Sequence, residues 1–572
     1  MLHFIDFEVF KHDWLCVIIS PIYKTETVII NDPQKLKDYY EQYKKEIFEG
    51  FNIRNYDQWI FKGILCDFDP KKINDWIIVR KQKGYAFSAL LNKYSINFYD
   101  VMPNLPISLK AMEGFMGSNI KESDVPFNLP RKLTSEEIEQ TVMYCQHDVE
   151  QTIEVFLHRK NEFDAQLSLV DTFKLPLSHI GKTQAQLAAI ILGARRKEFN
   201  DEWEIRVPNT LKLKKYSYVA EWFLNHDNHD YKKFLKTNVG GIPHIFAWGG
   251  VHGAKDKYSY TCTADELLIM IDVDQLYPTI MIKYNLLSRA VKNPKKFEDI
   301  LNTSLRLKAE KKKKEREPYK RICNISYGAE GDRFNAMYDP LHRTLVCIFG
   351  QLLILDLIEK IEGFCQLIQS NTDGILIKIK RRDFERLDDA VYEWEQRTHL
   401  HMSFDCYKSV MQKDVNNYLV VDYEGKCKAK GAYLKDLSAI DYDLPIINRA
   451  MKAYMISGVP VEKTIRECKE LKEFQKIVKL SSKFDYVEHN GIRYDYKCYR
   501  VFASRDECDG KIFKCKNVEN RIKKDKFANT PDRCFIENGN VNEVRVPRKL
   551  DRKWYIDLTK KRLEQFGIGE MQ

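Results

Sequence analysis

The chain has 572 residues, with 92 Lys and Arg against 82 Asp and Glu, a net charge of +10, and 44% hydrophobic and 30% charged residues. That mixture excludes a disordered or collagen-like chain and predicts a folded protein of several domains. No apolar run reaches the ~18–20 residues of a membrane helix, MLHFIDFEVF has no leader pattern, and the 14 cysteines form no Cys-x-x-Cys pair, so the expectation is a cytoplasmic protein with reduced thiols.

Residues 1–165 alternate strand-like runs (FIDFEVF, WLCVIIS, ETVII, DWIIV) with helical stretches, which predicts a mixed α/β domain. Its last helix opens on a Thr-Ser-Glu-Glu capping signal near Ser135. Residues 166–240 read as mainly helical, and the glycine-rich GGIPHIFAWGGVHGA reads as a connector between domains. Then come the strand LLIMIDVD, the segment LYPTIMI, charged helical sequence to Lys320, the apolar helix VCIFGQLLILDLIEKI, and a strand–turn–strand in CQLIQSNTDGILIKI. Beyond Ala432 the pattern predicts mostly helix, with a strand-like patch near Ile492 to Ala503. Charge is uneven: from Met451 onward 28 Lys and Arg face 19 acids. Interleaved aromatics there suit a nucleic-acid partner over a merely solvated surface.

Asp6 and Glu8 lie two apart on one strand, hence on one face, yet their neighbours Phe4, Ile5, Phe7, Val9 and Phe10 are apolar. Acids with no water around them need a cation. Asn52-x-x-x-Tyr56-Asp57 and Tyr144-x-x-x-Asp148 add further carboxylates, the latter pair one helical turn apart. Four such acids suit two divalent ions cutting a phosphodiester. His147 reads as a helix-surface residue. In order and spacing these motifs resemble the DnaQ-like 3′–5′ exonuclease. The resemblance implies an RNase H-like domain with Asp6, Glu8, Asp57 and Asp148 as metal ligands and Tyr144 orienting the attacking water. It also implies Asn52 and Tyr56 on a single-stranded 3′ end, with Lys110 as an additional exonuclease lysine.

In the central region, Asp272 and Asp274 share an apolar strand and Asp373 sits in a turn about 100 residues later. Between them, a lysine-rich segment leads into Lys320-x-x-x-Asn324-Ile-Ser-Tyr327-Gly328, cations that would hold a triphosphate. These segments resemble motifs A, B and C of family B DNA polymerases, and the wider match resembles polymerases of bacteriophages and prophages. The resemblance implies Asp272 and Asp373 as ligands of two Mg2+ (or Mn2+) ions and Tyr277, after Leu276, as a steric gate under the incoming sugar. Lys320, Asn324 and Arg306 would meet the dNTP, and Tyr327 the nascent base pair. Motif C departs from pattern at Asn371, where an acid is usual. Gly249 and Gly250 are similar to the family's exonuclease–polymerase linker. Tyr418 is similar to its primer-gripping tyrosine, with Lys430 or Lys428 supplying the charge that Asn416 lacks.

The implied architecture is α/β and α+β multidomain. It comprises an exonuclease (1–165), a connector with the N-terminal part of the palm region (166–262), a palm (263–290 and 329–432), fingers (291–328), and a basic thumb and C-terminal region (433–572). Expected partners are primer–template DNA, dNTPs and phage replication proteins, in a host cytoplasm and with no membrane. Asp272 and Asn324 lie 52 positions apart and Gly328 and Asp373 only 45, intervals too short for the insertions of protein-primed relatives, so terminal-protein priming is not expected. Two other assignments remain open: an exonuclease with a degenerate polymerase domain, and a non-catalytic DNA-binding scaffold.

Overall fold

The computed structural model describes residues 1–103, 107–519 and 521–568. They divide into two compact units. The first comprises Met1–Gly181, Asp436–Ile447 and Glu462–Asp557; the second comprises Lys182–Lys435, Asn448–Val461 and the residues from Leu558 onward. Among the described residues no helix is long and apolar enough to cross a membrane.

In the first unit, strands β1 (Leu2–Val9), β2 (Trp14–Ser20), β3 (Thr25–Ile30), β4 (Ile47–Gly50) and β5 (Phe98–Asp100) form one sheet in the order β3-β2-β1-β4-β5. The three N-terminal strands run antiparallel, whereas β4 and β5 continue parallel from β1. β1 is apolar on both faces because both are covered. Ile5, Phe7 and Val9 join one core cluster, and Phe4 joins another with Leu15, Val17, Cys145 and Val149. Helix Ser135–His158, opened by a Thr134–Glu137 capping box, covers the second face. By the period of two, Asp6 and Glu8 therefore point toward that helix.

The C-terminal part of this unit is largely strand, where strand was expected only near Ile492 to Ala503 and helix elsewhere. It holds β17 (Lys476–Lys479), β18 (Tyr486–His489), β19 (Ile492–Tyr494), β20 (Cys498–Ala503), β21 (Ile512–Val518), β22 (Arg521–Lys526) and β23 (Cys534–Ile536), in sheets β17-β20-β23 and β19-β18-β21-β22. Short, cation-rich strands lack the clean alternation that a sequence pattern needs. The stretch expected as one thumb is thus shared between the units. Among its ties to the first is Arg500, wholly buried on β20. Its guanidinium donates to the carbonyls of Gly114 (3.1 Å), Ser118 (2.8 Å) and Gly539 (2.5 Å) and to Gln475 Oε1 (3.1 Å). Burial pulls its pKa down to about 10, which still leaves it charged at neutral pH. Gly114 belongs to helix Leu109–Met116, which ends at Gly117 in the left-handed conformation (φ 80°).

The second unit is built on a seven-stranded sheet. Its members are β6 (Phe234–Val239), β7 (Ile242–Ala247), β8 (Gly250–Ala254), β10 (Glu266–Val273), β11 (Gln366–Ser370), β12 (Gly374–Lys380) and β13 (Met402–Tyr407). Their order is β13-β10-β12-β11-β8-β7-β6 and every pairing is antiparallel. The glycine-rich passage expected as a connector is therefore sheet, with β8 paired on both sides. A smaller sheet, β16-β15-β14-β9, joins β9 (Tyr258–Thr261), β14 (Ser409–Asp414), β15 (Asn417–Val421) and β16 (Cys427–Lys430). Helices Pro294–Ala309 and Lys313–Gly331 pack as a pair, and the buried helix Pro340–Ile361 precedes β11.

Arg500→Leu is expected to destabilise the first unit by roughly 3 kcal/mol, because the buried carbonyl of Gly114 and the half-buried carbonyls of Ser118 and Gly539 lose their donor. The urea midpoint of that unit's transition should fall; an unchanged midpoint would mean the tie is dispensable.

Candidate active sites

In the first unit the four expected acids converge. Asp6 and Glu8 project from β1, Asp148 from the helix covering that face, and Asp57 begins helix Asp57–Leu65. Asp57 is placed by the loop after β4. There Asp100, at the end of β5, accepts the backbone N–H groups of Asn52 (3.0 Å), Arg54 (3.1 Å) and Met102 (3.0 Å). Sequence reasoning missed Asp100, whose role depends on a parallel pairing invisible in the chain order.

Burial and then mutual repulsion raise these carboxyls. Asp6 is pushed up to about 7 by burial and Asp148. Burial takes Glu8 well above the usual carboxylate range, with Asp6, Asp148 and Asp57 adding to it. Asp57 is raised likewise, by burial and then Asp6. The cation at this cluster is Lys110. It pairs with Asp148, donates to Glu113 at 3.0 Å, and lies 4.7 Å from the centre of the Tyr144 ring. Burial works against its charge, but Asp148 and Glu113 outweigh it and hold its pKa above the ordinary value. Glu113, wholly buried, is the second residue missed, one helical turn from Lys110.

His147 is not on the surface as expected. It is buried, with Nε2 3.7 Å from Glu113 Oε1, because its helix is covered here by helix Leu109–Met116. Asn52 adopts a left-handed backbone (φ 63°) and its side-chain oxygen accepts from Asn55. Tyr56 donates its hydroxyl to Asn74 Oδ1 at 2.8 Å.

This cluster suits divalent cations. Ligand atoms of Asp6, Glu8 and Cys145 lie within 4.8 Å of one another, as do those of Glu113, His147 and Asp148. Buried Asp57 Oδ1 has no hydrogen-bond partner. Burial, then Asp6, holds the Cys145 thiol protonated, and it donates to Asp6. The remaining donors are mostly carboxylate oxygens, which favour hard ions such as Mg2+ or Mn2+.

In the second unit β10 ends beside the turn between β11 and β12. Asp272 is opposite Gly374, and the Val273 N–H donates to the Asp373 carbonyl at 2.8 Å, so the two acids are neighbours. A Cβ on Gly374 would come within 2.0 Å of Asp272 Oδ1 and 2.7 Å of the Ile271 carbonyl; the space a side chain would fill is taken by the Asp272 carboxylate. Asp272 is pushed up to about 6, by burial first. Lys428 pulls the other way, and Asp373, Asp405 and Asp274 add repulsion. Two adjacent carboxylates with one nearby lysine again suit divalent ions. Asp274 is instead paired with Lys308.

A cavity of about 360 Å³ opens against Asp373, lined also by Leu276, Tyr277, Lys320, Asn324 and Arg316. Arg316, Lys320 and Asn324 recur every four residues along helix Lys313–Gly331, so they share a face. Arg306, expected at this site, is not among the lining residues; it pairs with Glu310 one turn along its own helix. Arg316 takes that place, and its four-residue spacing from Lys320 was the available signal, hidden within a charged run.

Tyr277 follows a tight strand-to-helix turn through Gln275 (φ 50°), and its ring lies 4.3 Å from that of Tyr327. The Tyr327 hydroxyl meets Cys347 Sγ at 2.6 Å, and Cys347 reaches the Gly249 carbonyl at 3.5 Å. Gly250 (φ 154°) lies against the turn between β11 and β12, where its Cβ would come within 3.2 Å of Thr372 Oγ1. Asn371 hydrogen-bonds His252, beside which Lys430 lies. Lys430 is opposite Tyr418, whose hydroxyl is raised by burial, then by Asp272 and Asp373. Lys428, two residues earlier, is the lysine acting on Asp272.

No family model matches the chain, and neither does any curated protein. Among solved structures, a family B DNA polymerase from the hyperthermophilic archaeon Pyrobaculum calidifontis is similar at 13% identity and a TM-score of 0.43, over 100% of this chain and 78% of that one.

Because Asp6 is raised from 3.8 to about 7, between those values the folded state keeps a proton the unfolded chain has released. Stability without metal therefore falls as pH rises through that window. In EDTA the first unit should melt lower at pH 7.5 than at pH 5, Mg2+ or Mn2+ should restore the loss, and Asp6→Asn with Glu8→Gln should shrink both effects. Equal behaviour of variant and parent would remove the acids as the cause.

Proposed function

We propose that this chain is a family B DNA polymerase of bacteriophage or mobile-element type that extends a primer on a DNA template and proofreads with its own 3′–5′ exonuclease. The observation that carries it is the second unit's catalytic turn: Asp373 beside Asp272, across a cavity from Arg316, Lys320 and Asn324. This supports the reading, because the two carboxylates would anchor metal opposite cations spaced to hold a triphosphate. In the first unit, the sheet order β3-β2-β1-β4-β5 with acids at the centre of the sheet supports an RNase H-like nuclease.

Mg2+ or Mn2+, two per site, would be held by Asp272 and Asp373 for synthesis and by Asp6, Glu8, Asp57 and Asp148 for degradation, stabilising the attacking and leaving oxygens. The protein's own groups do the rest. Arg316 and Lys320 fix the triphosphate of a dNTP, Tyr277 closes the space a ribose hydroxyl would need, and Tyr327 backs the base pair. Tyr418 with Lys428 and Lys430 steadies the primer end. At the nuclease, Tyr144 orients water, Lys110 balances Asp148, and Asn52 and Tyr56 border the single-stranded 3′ end. Positioning and fixed charge supply most of the rate.

The two activities should separate. Asp6→Ala with Glu8→Ala is expected to abolish degradation and spare extension of a recessed 3′ end, and Asp272→Ala to do the reverse; loss of both activities from either folded variant would sink the two-site proposal. A second reading, an exonuclease with a silent polymerase unit, is favoured by Asn371 in motif C. Metal-dependent extension that survives Asn371→Asp but not Asp373→Asn would exclude it.

Gly374→Ala should cut extension at least tenfold while leaving degradation unchanged, since the new methyl displaces the Asp272 carboxylate. Undiminished extension would mean the turn relaxes freely.

A further inference from the structure

The hairpin β21–β22, on the first unit, faces solvent with an arrangement that stability alone does not favour. Segment 511–526 carries seven Lys and Arg against two acids. In its register Lys516 stands directly opposite Lys523, and Val518 opposite Arg521. Cross-strand partners share a face, so Lys516, Lys523 and Arg521 project to one side, and all three are exposed. On the other face Cys515 is buried and Lys524 is paired to Glu488 at 2.6 Å. Like charges directly opposite on a ribbon cost stability. Asp525 offers Lys523 only a distant contact, at 3.8 Å.

We propose that this face is a phosphate-binding ribbon that holds the backbone of duplex DNA for the first unit. The inference rests on the proposed nuclease and polymerase, and it names a surface which that assignment does not supply. Charge complementarity selects the partner: side chains on one ribbon face recur every ~7 Å along a strand, and a duplex presents a dense row of phosphates whose counterions are released on neutralisation. Because β21–β22 lies in the same compact unit as Asp6, Glu8 and Asp148, a duplex gripped there is held by the unit that would trim its 3′ end.

The test is binding of a blunt 20-base-pair DNA duplex to the full chain by fluorescence anisotropy, in EDTA, across a NaCl titration. Lys516→Glu with Arg521→Glu and Lys523→Glu should flatten the slope of log K against log salt by two to three units, at about 0.9 per phosphate neutralised. Degradation of a five-nucleotide single strand with Mg2+ should stay within twofold of the parent. Lys516→Arg with Lys523→Arg should keep the parent slope. If the charge reversal fails to fold, Lys516→Gln with Lys523→Gln, which relieves repulsion, should still flatten the slope by one to two units. Equal slopes for parent and folded variant would overturn the proposal and leave the ribbon to an acidic protein partner. A chain that binds duplex through the ribbon yet neither extends nor degrades DNA would instead sink the proposed function and leave this inference standing.

Discussion

Carboxylates brought together out of water repel one another, and the arrangement of the first unit follows from managing that repulsion. In the first unit Asp6, Glu8, Asp57 and Asp148 share one buried region in which Lys110 is the cation acting on Asp6, Glu8 and Asp148. In the second, Asp272 and Asp373 are neighbours, and Lys428 acts on Asp272. Burial first, and then the neighbouring acids, raise Asp6, Glu8 and Asp57 in the first unit and Asp272 in the second, which weakens the fold at neutral pH. Such a cost persists where surrounding structure over-determines the geometry, and the divalent ions proposed above would offset it.

That over-determination is visible in both units. β1 lies at the centre of its sheet with a core cluster on each face, so Asp6 and Glu8 cannot turn away to water. Helix Leu109–Met116, which brings Lys110 and Glu113 to the acids, is gripped at its C-terminal end by Arg500. The basic C-terminal strands are therefore part of the frame that holds Lys110 in place. In the second unit, antiparallel pairing on both sides of β10 fixes Asp272, and the missing side chain at Gly374 leaves room for its carboxylate.

Local periodicity made much of this legible. Asp6 and Glu8 two apart on an apolar strand, Tyr144 and Asp148 one turn apart, and Asp373 between two apolar runs all declared their geometry, because strand and helix periods are properties of the backbone. Lys320, Asn324, Tyr277 and Leu276 line one cavity. Arg306 does not, and a charged run does not reveal which cation faces inward; that depends on how helices Pro294–Ala309 and Lys313–Gly331 pack.

The sequence by itself determined the elements that carry the acids, their faces, and an excess of positive charge after residue 451. Tertiary structure alone decided that His147 is buried, that Asp100 anchors the loop before Asp57, and that Glu113 sits beneath Lys110. It also decided that the C-terminal segment Glu462–Asp557 is strand-rich and belongs with the first unit, joined to it by a buried arginine. The physical reason is common to all of these. Each is a contact between groups far apart in the chain, and burial or a carbonyl's need for a donor acts across space, where no local period records it.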